Sequence, residues 1–207
     1  NWAGMLRESK GIVGFSDVTV FQQRMLKLEL PSIHGSMPLN FKQNSQDALS
    51  SLLDALTGET SPIKIEASIF NKKGNAKGKL VGGNLSILYS LLGTDDQIDY
   101  SNTILFIEDL AEQLYHIERM LFAFEKSGIF DKIKGLIIGG MTNLQDTAVP
   151  FGKSVEEIVL SFFEYRNTPI CFNFPIGHID DNRAIRIGEN YKLNIQEAVE
   201  LKPLNHN

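Results

Sequence analysis

The chain has 207 residues, 43% of them hydrophobic and 22% charged, with a formal net charge of −5. That is enough apolar material for one large domain or two small ones, while the scattered lysines and arginines exclude the basic face a nucleic-acid binder needs. A single cysteine, Cys171, excludes internal disulfides and suits a reducing compartment, and no apolar run reaches transmembrane length.

Asn1 to Glu8 read as the tail of an earlier helix or loop. Ile12, Val13 and Phe15 then form a short apolar run typical of a buried parallel strand, and Val18 to Leu28 follow with helical spacing. Ser16 and Asp17 fall at the joint, with Gly14 before them to permit a sharp turn. A serine on such a turn stands clear of the sheet, and the N–H of Asp17 points where an oxyanion would form. The same two residues also read as an ordinary helix cap. Val18 stands where G-x-S-x-G has its second glycine, so the motif taken alone leaves both readings open.

Leu30 to Asn40 is rich in Pro and Gly and predicts one short strand and a loop, and Ser45 to Leu56 predicts an amphipathic helix ended by Gly58. Ile63 to Phe70 and Lys79 to Val81 read as strands joined by a turn at Asn71-Lys72-Lys73-Gly74-Asn75, with a domain boundary near Pro62. Gly82-Gly83-Asn84 leads into a helix from Leu85 to Leu92. Thr103 to Ile107 is a buried strand that delivers Glu108 and Asp109. A helix from Leu114 to Lys126 stops at Gly128, and Lys134 to Met141 is a second buried strand. Ser154 and Glu157 form a capping box for the next helix. Pro169 to Phe174 is a strand leading to Pro175-Ile176-Gly177-His178, and short strands near Ala184–Ile187 and Tyr191–Ile195 finish the chain. The alternation of strand and helix in the second half predicts an α/β fold with parallel pairing and right-handed crossovers. Ligands in such sheets bind beyond the carboxyl ends of the strands, where Ser16, Glu108 and His178 all fall.

Four blocks now stand in order: Gly14-Phe15-Ser16-Asp17-Val18-Thr19, Gly82-Gly83-Asn84-Leu85-Ser86, Phe106-Ile107-Glu108-Asp109 with Ile117-Glu118-Arg119-Met120-Leu121, and Gly177-His178. Together they resemble the LD-carboxypeptidases, or muramoyltetrapeptide carboxypeptidases, of the S66 class of serine peptidases. The separations of 92 residues from Ser16 to Glu108 and 70 from Glu108 to His178 fit that family's order. The resemblance implies a cytoplasmic, homodimeric, two-domain serine hydrolase of peptidoglycan recycling, which releases the terminal D-alanine from muropeptides. No cofactor, metal, nucleic-acid or membrane partner is implied. Carried over by position, Ser16 is the nucleophile, His178 the general base and Glu108 the acid that orients it. The Asp17 N–H is an oxyanion donor, and Gly83 and Asn84 line the substrate cleft. Residues 1–61 then form the end of a nucleophile-bearing α/β domain and residues 62–207 the domain that carries Glu108 and His178. Relatives have an α/β segment before the turn that carries the serine, with a Gly-rich turn expected to give the second oxyanion donor, and Asn1 falls after it. Ile33-His34-Gly35-Ser36-Met37-Pro38 also departs from the His-Gly-Pro-Met pattern of relatives.

The residue types suit the chemistry. A serine hydroxyl needs a base to take its proton, an imidazole can take and return it near neutral pH, and a buried carboxylate fixes the tautomer and stabilises the imidazolium. Each has a structural alternative: a hydrogen-bonded core histidine at 178, or a helix-dipole charge at Glu108, a role Asp109 can fill instead. Glu118 and Arg119 read as a surface or domain-contact pair, Gly139-Gly140 as a tight turn, and Cys171 as a core thiol. His34, His116 and His206 show no metal-ligand spacing. Two rivals remain on the resemblance: a microcin C-type self-immunity peptidase with the same triad, whose spacing is generally longer, and a non-catalytic or inactive muropeptide-binding product.

Overall fold

The computed structural model describes residues 2–8, 10–59 and 61–204, so His206 lies outside the described residues. Helix α1 (Ala3–Arg7) leads to strand β1 (Ile12–Gly14), a 3-10 turn over Ser16–Val18, helix α2 (Thr19–Lys27) and strand β2 (Ser32–His34). β1 and β2 are parallel, with Gly14 opposite His34. Buried Gln22 on α2 donates from Nε2 to the carbonyls of Gly14 (2.9 Å) and Ile33 (3.0 Å), tying the two strand ends together. Helix α3 (Gln46–Thr57) starts where Ser45 caps the Ala48 N–H and stops at Gly58, at φ 87°. Both ends are where the sequence puts them, because capping is local chemistry.

The later elements are β3 (Ile63–Glu66), β4 (Gly74–Asn84), α4 (Leu85–Ser90), β5 (Thr103–Leu110), α5 (Leu114–Lys126), α6 (Ile129–Lys132), β6 (Gly135–Thr142), α7 (Val155–Ser161), β7 (Ile170–Cys171), β8 (Ile185–Ile187), β9 (Asn190–Ile195) and β10 (Ala198–Pro203). They build a seven-stranded sheet in the order β3-β10-β9-β4-β5-β6-β7. β4 to β7 are parallel, as the alternating pattern predicts, and β9, β10 and β3 extend the sheet antiparallel. The expected hairpin between β3 and β4 does not form. β3 pairs with β10, while β4 lies between β9 and β5 and runs on through Gly82 and Gly83 to Asn84. Its glycines disguise it as loop, since glycine carries no strand signal.

β5 is buried along nearly its whole length. Leu105 and Ile107 face the helical layer with Ile117, Phe124 and Ile158. Ile104 and Phe106 face the other layer with Phe174, Ile185 and Leu193. Such two-sided burial explains the unbroken apolar runs that betray this strand and β6 in the sequence. β8 pairs antiparallel with β2, Ser32 opposite Ile187, so a late segment completes the small sheet begun by β1 and β2.

Candidate active site

Ser16 is half-exposed and sits at φ +60° on the turn after β1. A non-glycine residue in the left-handed region costs on the order of 1 kcal/mol and persists where its surroundings hold it. Here the hold is close packing. A Cβ on Gly14 would lie 2.8 Å from the Val18 side chain, so Val18 fills the space that a second glycine leaves open in G-x-S-x-G. The motif's departure is thus a packing substitution within the same sharp turn. Asp17, next in the turn, is exposed.

Glu108 lies near the end of β5, fully buried. The β5–β6 register slips by one residue beside it: Ile107 pairs with Ile138 but Asp109 with Met141. Such a bulge re-aims the side chain opposite. Gly139 and Gly140, on the bulged strand, are strand residues and not the tight turn expected. A Cβ on Gly139 would meet Ile176, and one on Gly140 would meet Ile179, each at 2.7 Å, so the pair admits the loop that carries His178.

That loop delivers His178 Nδ1 to 2.6 Å from Glu108 Oε2, and the His178 backbone N–H donates to the same oxygen at 3.3 Å. The loop is held at both flanks. Asn182 Oδ1 accepts from Gly177 N at 2.8 Å, and Thr142 Oγ1 donates to the His178 carbonyl at 3.2 Å. With its N–H committed to Nδ1 by the carboxylate, the imidazole keeps its lone pair on Nε2. The ring of Phe15, the residue before Ser16, meets the His178 ring edge-on at a centroid distance of 4.8 Å. The structure therefore bonds two of the three expected residues directly and sets the neighbour of the third against the imidazole.

A polar strut runs beside them. Thr19 Oγ1 accepts from Asn84 N at 3.1 Å, Asn84 Nδ2 donates to Asp109 Oδ1 at 2.9 Å, and Gln23 Nε2 donates to Gly82 O at 2.9 Å. Asn84 Oδ1 also accepts from Ser86 Oγ (2.7 Å) and Ile87 N (3.2 Å), capping α4. Asn84, expected in the cleft, is buried with both ends of its amide engaged, and Gly83 backs onto Thr19. Asp109 serves a helix N-terminus as expected, though that of α4, by accepting from Ser86 N at 2.9 Å. Burial pushes the Asp109 carboxyl up from its ordinary range, against the opposing pull of its hydrogen bonds from Asn84, Leu110 and Ser86. Gln22, Gln23, Thr19 and Asn182 gave no signal as site residues, since helical glutamines read as surface positions.

Of the remaining candidates, His116 pairs with Glu112, Glu118 with Lys153, and Arg119 lies over the Tyr115 ring. Cys171 is buried in the core, which pushes its thiol up to about 12. Among the described residues no three His, Cys, Asp or Glu side chains are grouped to hold a metal ion, and no helix is long and apolar enough to cross a membrane.

Residues 77–193, more than half the chain, match the model of the LD-carboxypeptidase C-terminal domain. The chain belongs to the LD-carboxypeptidase family. Glu108 and His178 lie within the matched stretch, and Ser16 lies before it. A Synechocystis sp. protein designated a carboxypeptidase is 31% identical over 188 residues, 91% of this chain and 62% of the relative. The muramoyltetrapeptide carboxypeptidase of Oxalobacter formigenes superposes with a TM-score of 0.89 at 27% identity, over 100% of this chain and 73% of that one. The microcin C7 self-immunity protein MccF of Escherichia coli is 32% identical over 139 residues, 59% of this chain and 40% of its own. The chain spans 60–62% of the length of three curated carboxypeptidase relatives it matches, those of Synechocystis sp., Bacillus subtilis and Pseudomonas aeruginosa.

Proposed function

We propose that this chain carries the catalytic hydroxyl, imidazole and carboxylate of a serine carboxypeptidase that releases the terminal D-alanine from muropeptides. The observation that carries the proposal is the 2.6 Å contact between His178 Nδ1 and buried Glu108 Oε2, with Phe15 of the Ser16 turn against the same ring. Ser16 Oγ attacks the carbonyl carbon that precedes the D-alanine, and its proton passes to His178 Nε2. The carboxylate of Glu108 balances the imidazolium, and the Asp17 N–H donates to the oxyanion. Collapse of the tetrahedral intermediate breaks the C–N bond as Nε2 returns the proton to the leaving amine. A water, deprotonated by the same nitrogen, then hydrolyses the ester on Ser16. Gly83 and Asn84 support the cleft from behind the turn through Thr19. The same reading makes the protein a cytoplasmic homodimer of two domains, with a boundary near residue 62 and the site between them.

An alkyl fluorophosphonate tests this on the chain itself. Intact mass should rise by one adduct, mapped to Ser16 and lost in Ser16→Ala, and D-alanine should appear from a muramoyl tetrapeptide. An unlabelled Ser16 removes the nucleophile assignment. Turnover of a peptide–nucleotide conjugate in preference to the tetrapeptide assigns the immunity-type reaction instead.

A further inference from the structure

The sequence sets His34 aside as an ordinary histidine, and the fold puts it behind the reacting groups. It ends β2, opposite Gly14, and Gly35 N donates to Gly14 O at 3.2 Å, so the His34 backbone moves with the start of the Ser16 turn. Its ring is fully buried and hydrogen-bonds no protein group. One neighbour is Phe106, edge-on at 5.0 Å, and the other is Phe15, edge-on at 6.2 Å. Phe15 in turn meets His178 at 4.8 Å. Phe106 and Glu108 are two apart on β5 and so share a face. Four rings and one hydrogen bond thus make a closed circuit: Glu108 to His178, to Phe15, to His34, to Phe106, and back along β5 to Glu108.

We propose that His34 and Phe15 are positioning residues, an aromatic bridge that sets the separation between the Ser16 turn and the Glu108–His178 pair. The inference rests on the proposal that Ser16 is the nucleophile. Edge-to-face rings prefer a narrow range of separations, and these are too enclosed to slide, so a shift at either end is transmitted to the other. Burial lowers the His34 imidazole to about 4, so it packs as a neutral ring and adds no positive charge behind Glu108 at neutral pH. A displacement of about 1 Å between reacting groups costs on the order of 10²-fold in rate, which gives the bridge leverage without contact with substrate.

The test uses His34→Leu, Phe15→Leu and the double variant in the full chain, because leucine keeps most of the volume and removes the ring. Two quantities are read: the second-order rate of fluorophosphonate labelling, and the NMR signal of the His178 Nδ1 proton, which reports its bond to Glu108 whether or not Ser16 reacts. Each single variant should slow labelling by about tenfold or more and shift the proton signal, with cooperative unfolding retained. The double variant should stay within about threefold of the slower single one, as expected for two links of one chain. Parent-like labelling in both single variants, or losses that multiply in the double one, overturns the proposal. Should the parent chain not label while its proton signal responds as stated, the nucleophile assignment fails and the bridge stands. A signal indifferent to every variant overturns the bridge. If His34→Leu does not fold, Phe15→Leu carries the same two readouts, and parent-like values there overturn it.

Discussion

A side chain on Gly177 and the carboxylate of Glu108 would claim the same volume: a Cβ at 177 would lie 2.6 Å from Glu108 Cβ, Cγ and Oε2. The residue before the base is glycine because the acid occupies that space, and its φ of 97° suits no other residue well. Gly177→Ala should therefore part Glu108 from His178. We expect a loss of roughly 1–3 kcal/mol in stability together with most of the probe labelling. Denaturant unfolding and labelling measured on one preparation check it, and a variant that labels normally means the loop has room to yield.

Glu108→Gln keeps the shape and removes the charge. The amide can offer its N–H₂ to the imidazole, favouring the tautomer with the proton on Nε2, where it cannot accept one from Ser16. A fall in turnover of roughly 10³–10⁴ is expected, by analogy with the corresponding change in serine proteases. A variant within tenfold of the parent would show that Glu108 orients nothing of catalytic value.

Asn84 separates a structural role from a binding one. Asn84→Ala removes the α4 cap and the amide partner of Asp109, while the backbone bond to Thr19 persists. The expected cost is roughly 2–3 kcal/mol of stability with little change in KM. A raised KM at unchanged stability would instead put the side chain in contact with substrate.

His34 should make stability depend on pH. Its folded value of about 4 lies below the ordinary 6.5 of a histidine, because burial outweighs the pull of Glu108, with the nearby His178 adding to the lowering. Between these values the unfolded chain binds more protons. The contribution is thus complete above about pH 6.5, is lost as pH falls towards about 4, and is constant below that. Urea unfolding at pH 7 and pH 5 should differ by up to roughly 2 kcal/mol from this group. His34→Leu should flatten that difference, and an unchanged slope would mean the ring is not held neutral.

Much of the chain was legible from its residues. Ser45 and Gly58 mark the ends of α3, Ser154 and Glu157 cap α7, and the apolar runs at 103–107 and 135–138 lie in β5 and β6. These signals are local: a cap, a turn or a period of burial is settled within a few neighbours along the chain. The placement of Ser16 just past β1 and of Glu108 near the end of β5 belongs with them, although those strands lie in two different sheets. Pairing partners were not legible. β3 reads as half of a hairpin yet joins β10, β10 gave no strand signal, and β8 returns to complete the sheet of β1 and β2. Nor did the sequence distinguish the buried amides of Gln22 and Gln23, or the neutral ring of His34, from surface polar residues. A polar side chain is burdened or satisfied only by what folds around it, and those groups come from positions tens of residues away.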